Sequence, residues 1–265
     1  MSSVVFRLTA GRAGRQPPDG MPLVAVQHAG GTSAAFRPWT AAAHARGFAL
    51  FGTRTAKPTD PPERRSLRGR SRELAESLAA LNRPYVLLGH SMGGALAAET
   101  VLQLRRHAPE ALPALLVVCG TNPPQLGRPL PVPDGTDARA RAVEFLRTVG
   151  GTPARVLQNP TMRELAVTML LDDLAALRDH VWDGSPVTTP TAVYAGRTDP
   201  VAPPESVARW AEIAAPVTAR VFDGGHFFPH ERTAEVLDAI RLDLDGRRPA
   251  ATAALPRQTG RTSQR

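Results

Sequence analysis

Short continuous apolar runs alternate with stretches in which apolar residues recur every third or fourth position. The runs Pro22–Gln27, Phe48–Thr53, Pro84–Leu88 and Ala114–Cys119 read as strands buried on both faces of a parallel sheet. Between them, Ser33–Arg46 reads as a helix ended by Gly47, and Leu67–Leu81 as another, with Leu74, Leu78 and Leu81 at helical spacing. From Thr121 to Val187 the alternation stops. Thr136–Val149 reads as one helix and Thr161–Val181 as one or two, with Leu165, Met169, Leu170, Leu174 and Leu177 on an apolar side. The alternation resumes with strand Thr191–Ala195, helix Pro204–Ala214, strand Val217–Phe222 and helix Thr233–Leu244. This pattern predicts an α/β fold, a mostly parallel sheet flanked by helices, in a single domain over 1–245. The helical stretch at about 121–187 is either a lid over a site or a helical pair that extends the core.

Composition narrows the class. A chain of 265 residues, 42% of them hydrophobic, can bury a large core. No apolar run approaches the roughly 20 residues of a membrane span. The start, Met1 to Arg7, lacks the basic-then-apolar pattern of a secretory signal. The single cysteine, Cys119, excludes a disulfide within the chain. Together these lead to the expectation of a cytoplasmic protein. Of the formal net charge of +8, five charges come from arginines between Gly246 and Arg265, a stretch rich in Pro, Ala and Thr that is expected to be a disordered basic tail. Lys57 is the only lysine, so the arginines follow a compositional bias and do not imply nucleic acid; no nucleic-acid motif accompanies them. A second basic cluster, Arg64, Arg65, Arg68, Arg70 and Arg72, is either a solvated face or a surface for an acidic partner.

The candidate chemistry centres on Gly89-His90-Ser91-Met92-Gly93, which lies between a predicted strand and the predicted helix Gly94–Leu102. A Gly-x-Ser-x-Gly turn in that context presents the serine at its apex. Serine is a poor nucleophile at neutral pH and needs a base, held in one tautomer by a carboxylate. In an open parallel sheet such groups follow strand ends. Asp199 follows Thr191–Ala195 and His226 follows Val217–Phe222, so the order is Ser91, Asp199, His226, as in α/β-hydrolases. His230 is the nearest rival base, and Asp223 is the rival acid. Met92 N–H is the expected first oxyanion donor. The second is expected from the loop His28-Ala29-Gly30-Gly31, from Ala29 with Gly30 as the alternative. No Cys/His cluster has metal-ligand spacing, and the chemistry calls for neither a metal nor a redox cofactor.

These blocks resemble the type II thioesterases, discrete editing enzymes of polyketide and nonribosomal peptide assembly lines. The resemblance rests on Gln27-His28-Ala29-Gly30-Gly31 with Phe36-Arg37-Pro38-Trp39, then Gly89 to Gly94, Gly150-Gly151-Thr152-Pro153 and Gly224-Gly225-His226-Phe227-Phe228, in that order over roughly Pro22 to Leu244. It implies an α/β-hydrolase fold with a mobile helical lid, and hydrolysis of acyl thioesters on the phosphopantetheine arm of a carrier protein. Leu165 and Met169 on the lid, with Phe227, are then the expected substrate-side residues. Because carriers are acidic, the cluster Arg64 to Arg72 is a candidate docking surface. Where the family usually has Pro-Gly-Arg after the third strand, this chain has Phe51-Gly52-Thr53-Arg54-Thr55, which bears on substrate preference or docking. The rival readings are a carboxylesterase or acyl-transferring cyclase with the same triad, and a catalytically inactive binding protein of the same fold. An epoxide hydrolase or haloalkane dehalogenase is disfavoured, because a carboxylate would stand at Ser91.

Overall fold

The computed structural model describes residues 4–9, 20–57, 59–126 and 137–246. Beyond Gly246, the expected basic tail lies outside the described residues, as do Pro58 and Thr136. Among the described residues, seven strands form one sheet in the order β1-β3-β2-β4-β5-β6-β7. They are β1 (Val5–Arg7), β2 (Met21–Val26), β3 (Phe48–Thr53), β4 (Val86–His90), β5 (Leu115–Cys119), β6 (Thr191–Gly196) and β7 (Val217–Phe222). Only β1 runs antiparallel to its neighbour. This is the mostly parallel sheet that the alternation predicts, in the α/β-hydrolase arrangement that the resemblance implies.

The helices are α1 (Thr40–Ala45), α2 (Pro62–Arg65), α3 (Leu67–Ala79), α4 (Met92–His107), α5 (Ala138–Val149), α6 (Ala154–Gln158), α7 (Pro160–Arg178), α8 (Pro204–Ala208), α9 (Phe228–Glu231) and α10 (Thr233–Asp245). Apolar clusters cover both faces of the sheet. One joins Leu74, Leu78, Val101 and Trp210; the other joins Phe36, Trp39, Phe228 and Ile240. Strands β4, β5 and β6 are buried at every position, which explains their unbroken apolar runs.

Several boundaries differ from expectation for local reasons. The helix expected over Ser33–Arg46 is a 3₁₀ segment, Ser33–Trp39, followed by α1. Pro38 lies inside the first part and supplies no N–H for a continuous α-helical ladder. Of the stretch Thr161–Val181, residues 179–181 lie beyond the helix end, and the residues up to Arg178 form one helix, α7. Asn159 caps it, its side chain accepting Met162 N–H at 3.0 Å, and Pro160 occupies the first turn. The stretch Pro204–Ala214 is only α8 plus the 3₁₀ turn Arg209–Glu212. Strand β1 and the short helices α2, α6 and α9 were not anticipated, since three to five residues are too few to show a period.

The topology fixes where a site can lie. From β2 the chain adds β3 on one side, then crosses to the other side for β4. The carboxyl ends of β2 and β4 therefore flank a crevice at the switch point. His28-Ala29-Gly30 leaves β2 there and Ser91 leaves β4. The segment holding α5, α6 and α7 is inserted between β5 and β6 and has a small core of its own: Ala142, Leu146, Val167, Leu170 and Leu174.

Candidate active site

Ser91 occupies the turn from β4 into α4 with φ 56° and ψ −122°, a strained conformation for a residue with a side chain. The turn is held because Ser91 N–H donates to Cys119 O (2.9 Å) and Thr121 Oγ1 donates to Ser91 O (2.7 Å). Glycine at 93 is a steric requirement, since a Cβ there would stand 2.3 Å from Val26 O. Met92 opens α4, so its N–H lies in the first helical turn, where amides have no intrahelical partner.

Asp199 follows β6 in a turn closed by Asp199 N–H to Gly196 O at 3.2 Å. Its Oδ1 accepts the N–H groups of Val201 (2.8 Å) and Ala202 (3.0 Å), which leaves Oδ2 directed at the imidazole. His226 follows β7. Its Nδ1 lies 2.8 Å from Asp199 Oδ2 and its Nε2 lies 2.9 Å from Ser91 Oγ. An ionised carboxylate only accepts, so Nδ1 carries the ring hydrogen and the Nε2 lone pair faces the hydroxyl. Asp199 and His226 are both buried. The structure thus brings Ser91, Asp199 and His226 into one hydrogen-bonded chain. It separates the rivals: Asp223 faces outward and pairs with Arg197 at 2.8 Å, while the His230 ring lies against Phe36 and Trp39 and its Nδ1 accepts from the Trp39 indole instead.

Behind the imidazole lies a group of histidines whose arrangement was not read from the sequence. His90 Nε2 donates to the carbonyl of His226 at 2.8 Å and so anchors the backbone that carries the base. His28, His90 and His230 pack edge-on around one another, with Phe227 against all three. Burial, and then the charge of neighbouring imidazoles, pushes His28 down to about 3. Burial pushes His230 to about 4 and holds His90 well below the ordinary histidine value. These rings are therefore neutral in the range where His226 must work. One nitrogen from each lies within 4.8 Å of the others, the one such set with metal-ligand potential among the described residues. Trp39 Nε1–H donates to His230 Nδ1 at 3.3 Å. With Nδ1 accepting, the neutral ring carries its hydrogen on Nε2.

Two spaces meet at Ser91. A cavity of about 610 Å³ runs past Ala29, Met92, Thr121, Leu174, Leu177 and Trp182. A small cleft of about 30 Å³ is bounded by Leu146, Gly150, Leu174 and Phe227. Phe227 lies against Gly151, where a Cβ would come within 2.0 Å of its ring. Of the expected substrate-side residues, Phe227 lines the cleft, but Leu165 is 57% exposed and neither it nor Met169 lines these spaces. Leu174 and Leu177, further along α7, line the cavity instead.

The loop after β2 also differs in part from expectation. Gly30 N–H, the alternative oxyanion donor, donates to Asp173 Oδ2 at 2.8 Å and is engaged. Ala29 lines both spaces beside Ser91. Asp173 escaped the sequence reading, although an acid between Leu170 and Leu174 on an apolar helix face was a signal that it needed a partner.

The basic cluster divides. Arg70 is not a docking residue: its side chain is 10% exposed and it pairs with Asp173. Arg64 pairs with Glu73, and Arg65 lies 3.9 Å from Asp172. Arg68 and Arg72 are exposed. Arg54, where the Pro-Gly-Arg block was expected, bonds Asp60 (2.9 Å) and Glu73 (3.2 Å).

Comparison with known proteins agrees with this geometry. Residues 21–244 match the thioesterase domain family. The chain is 30% identical over 238 residues to Thioesterase PikA5 of Streptomyces venezuelae, covering 84% of this chain and 81% of that protein. Its fold superposes on YbtT, a type II thioesterase from the yersiniabactin biosynthetic pathway, with TM-score 0.75 and 26% identity, over 92% of this chain and 98% of that one. RedJ, a thioesterase from the prodiginine pathway of Streptomyces coelicolor, gives TM-score 0.74 and 26% identity over 89% of this chain and 96% of that one. With the family pattern spanning the sheet, the serine turn and the histidine loop alike, this chain belongs to the thioesterase domain family.

Proposed function

We propose that this protein is a serine thioesterase that releases acyl groups from the phosphopantetheine arm of acyl or peptidyl carrier proteins in polyketide or nonribosomal peptide assembly. The observation that carries the reading is the hydrogen-bonded chain Ser91–His226–Asp199, at 2.9 and 2.8 Å, on the floor of a largely apolar cavity. Ser91 Oγ attacks the thioester carbonyl while His226 Nε2 takes its proton. The amides of Met92 and Ala29 bind the oxyanion. His226 then gives its proton to the leaving thiol, and an acyl-serine remains. Water activated by the same imidazole releases the acid. Asp199 holds the ring and stabilises its charged form.

The inserted helices α5, α6 and α7 serve as the lid. Leu174 and Leu177 meet the acyl chain, and Phe227 closes the far side. Exposed Arg68 and Arg72 offer positive charge to an acidic carrier. No helix among the described residues is long and apolar enough to cross a membrane. A cytoplasmic site of action fits the single buried thiol of Cys119. The test is mass spectrometry of acyl-loaded carrier protein before and after incubation. Loss of the acyl group with wild-type enzyme and retention with Ser91→Ala is the expected result. Equal loss with both proteins removes the proposal.

A further inference from the structure

Asp173 lies on the sheet-facing side of α7, and its side chain is only 5% exposed. Two contacts hold it there. One oxygen pairs with the guanidinium of Arg70 from α3, itself almost buried. The other accepts Gly30 N–H at 2.8 Å. A carboxylate this deep needs both partners to remain charged. Helix α7 also touches the loop directly, since a Cβ on Gly30 would stand 3.1 Å from Leu170 Cβ.

The Gly30 contact bears on the oxyanion donor. Gly31 N–H donates to His28 O at 3.0 Å and closes a turn over Ala29. That carbonyl belongs to the peptide unit that carries Ala29 N–H, so its orientation fixes the donor's direction. The next peptide unit, Ala29–Gly30, is fixed through its N–H by Asp173. Both planes around Ala29 are thereby set, one from within the loop and the other from α7. Gly30 has φ +72° and a wide range of accessible backbone conformations, so without Asp173 the loop has freedom to turn.

We infer that Asp173, backed by Arg70, is a positioning residue for the oxyanion loop, and that the loop presents Ala29 N–H to the substrate only while α7 is seated over the site. The α7 segment therefore does more than cover the cavity, because seating it assembles half of the oxyanion hole. Acylation before the lid is seated is correspondingly slow, which protects the serine from adventitious esters.

This inference rests on the serine-thioesterase reading, so Ser91-dependent turnover by the parent protein is measured first; its absence removes that reading and, with it, the positioning role of Asp173. The double variant Arg70→Met/Asp173→Leu then replaces the ion pair with apolar groups of similar size, so α7 can stay seated while Gly30 N–H loses its acceptor. For an acyl thioester of a small thiol, kcat is expected to fall about tenfold to hundredfold, a fraction of the loss from deleting an oxyanion donor outright. KM stays within about threefold, and affinity for a trifluoromethyl ketone that mimics the tetrahedral oxyanion falls by the same factor as kcat/KM. Asp173→Asn keeps a side-chain carbonyl for Gly30 and covers the case in which the double variant does not fold. It retains several times the kcat of Asp173→Ala. Wild-type kcat in the double variant, a loss carried by KM alone, or equal loss in the asparagine and alanine variants overturns the inference.

Discussion

The sheet edge and the inserted helices meet at Ser91, but they are built differently. At the edge, Ser91 and Asp199 follow strands buried at every position, β4 and β6, and His226 follows the more exposed β7. Each is fixed by hydrogen bonds that involve the backbone: two amides on Asp199, the Cys119 carbonyl on Ser91, and His90 on the His226 carbonyl. The insertion rests on a small apolar core and leaves Met162 and Leu165 exposed on α7. Charged pairs, Arg70–Asp173 and Arg65–Asp172, tie it to α3 and α2. The strand ends give the chemistry a rigid base, whereas the less buried insertion is the part proposed above to serve as the lid. Changes at the edge should therefore destroy turnover without unfolding the protein, and changes in the insertion should trade stability and access.

The largest expected effect is at the edge. Ser91→Ala or His226→Ala lowers kcat by about 10⁴-fold or more, with the circular dichroism spectrum unchanged; steady-state kinetics that find near-normal hydrolysis break the assignment. In the insertion, Leu174→Ala removes a buried side chain that belongs to the segment's core and also lines the cavity, at a cost of about 2–4 kcal/mol. Leu165→Ala, on the exposed side of the same helix, changes stability by under about 0.5 kcal/mol. Urea unfolding of the two variants sharpens the contrast, and equal losses would mean that α7 is packed differently.

The neutral histidines behind the edge add a pH dependence. His28 and His230 are held at about 3 and about 4 when folded, below the 6.5 of the free side chain. Below that value the unfolded chain binds more protons than the native one, so stability falls as pH drops from about 7 toward 4. The loss is on the order of 2 kcal/mol per ring at pH 5. His230→Phe keeps an aromatic ring there and flattens the dependence; an unchanged slope in unfolding at pH 7.5 and 5 contradicts the burial argument. The smallest effect is expected at the surface. Arg68→Glu/Arg72→Glu raises KM for a carrier-bound thioester about tenfold, with the rate on a small-thiol ester unchanged. Equal changes on both substrates would assign these arginines to folding.

The same contrast explains what could be read from the sequence. Buried strands leave continuous apolar runs, and the serine turn demands glycines at fixed positions, so the sheet and the residues Ser91, Asp199 and His226 were legible. In α7 the apolar side was legible as a stripe, but the portion of the stripe over the site was not. Helix position along its axis is set by packing against α5 and the loop after β2, so the stripe alone does not tell Leu165 and Met169 from Leu174 and Leu177, which face the cavity. Arg70 looked like one more member of an exposed basic run, because its partner Asp173 is distant in sequence. The contact between Asp173 and Gly30 likewise joins two segments that no local pattern connects. Charged residues that pair across distant segments leave only the weak signal of an acid within an apolar stripe.

The central claim is most directly tested by rapid quenching of the wild-type protein with acyl-loaded carrier, followed by mass measurement of its peptides. The account predicts a transient acyl adduct on the peptide containing Ser91, formed and lost at rates compatible with turnover, and absent in Ser91→Ala. Substrate consumption with no such adduct, or an adduct confined to another residue, would contradict it.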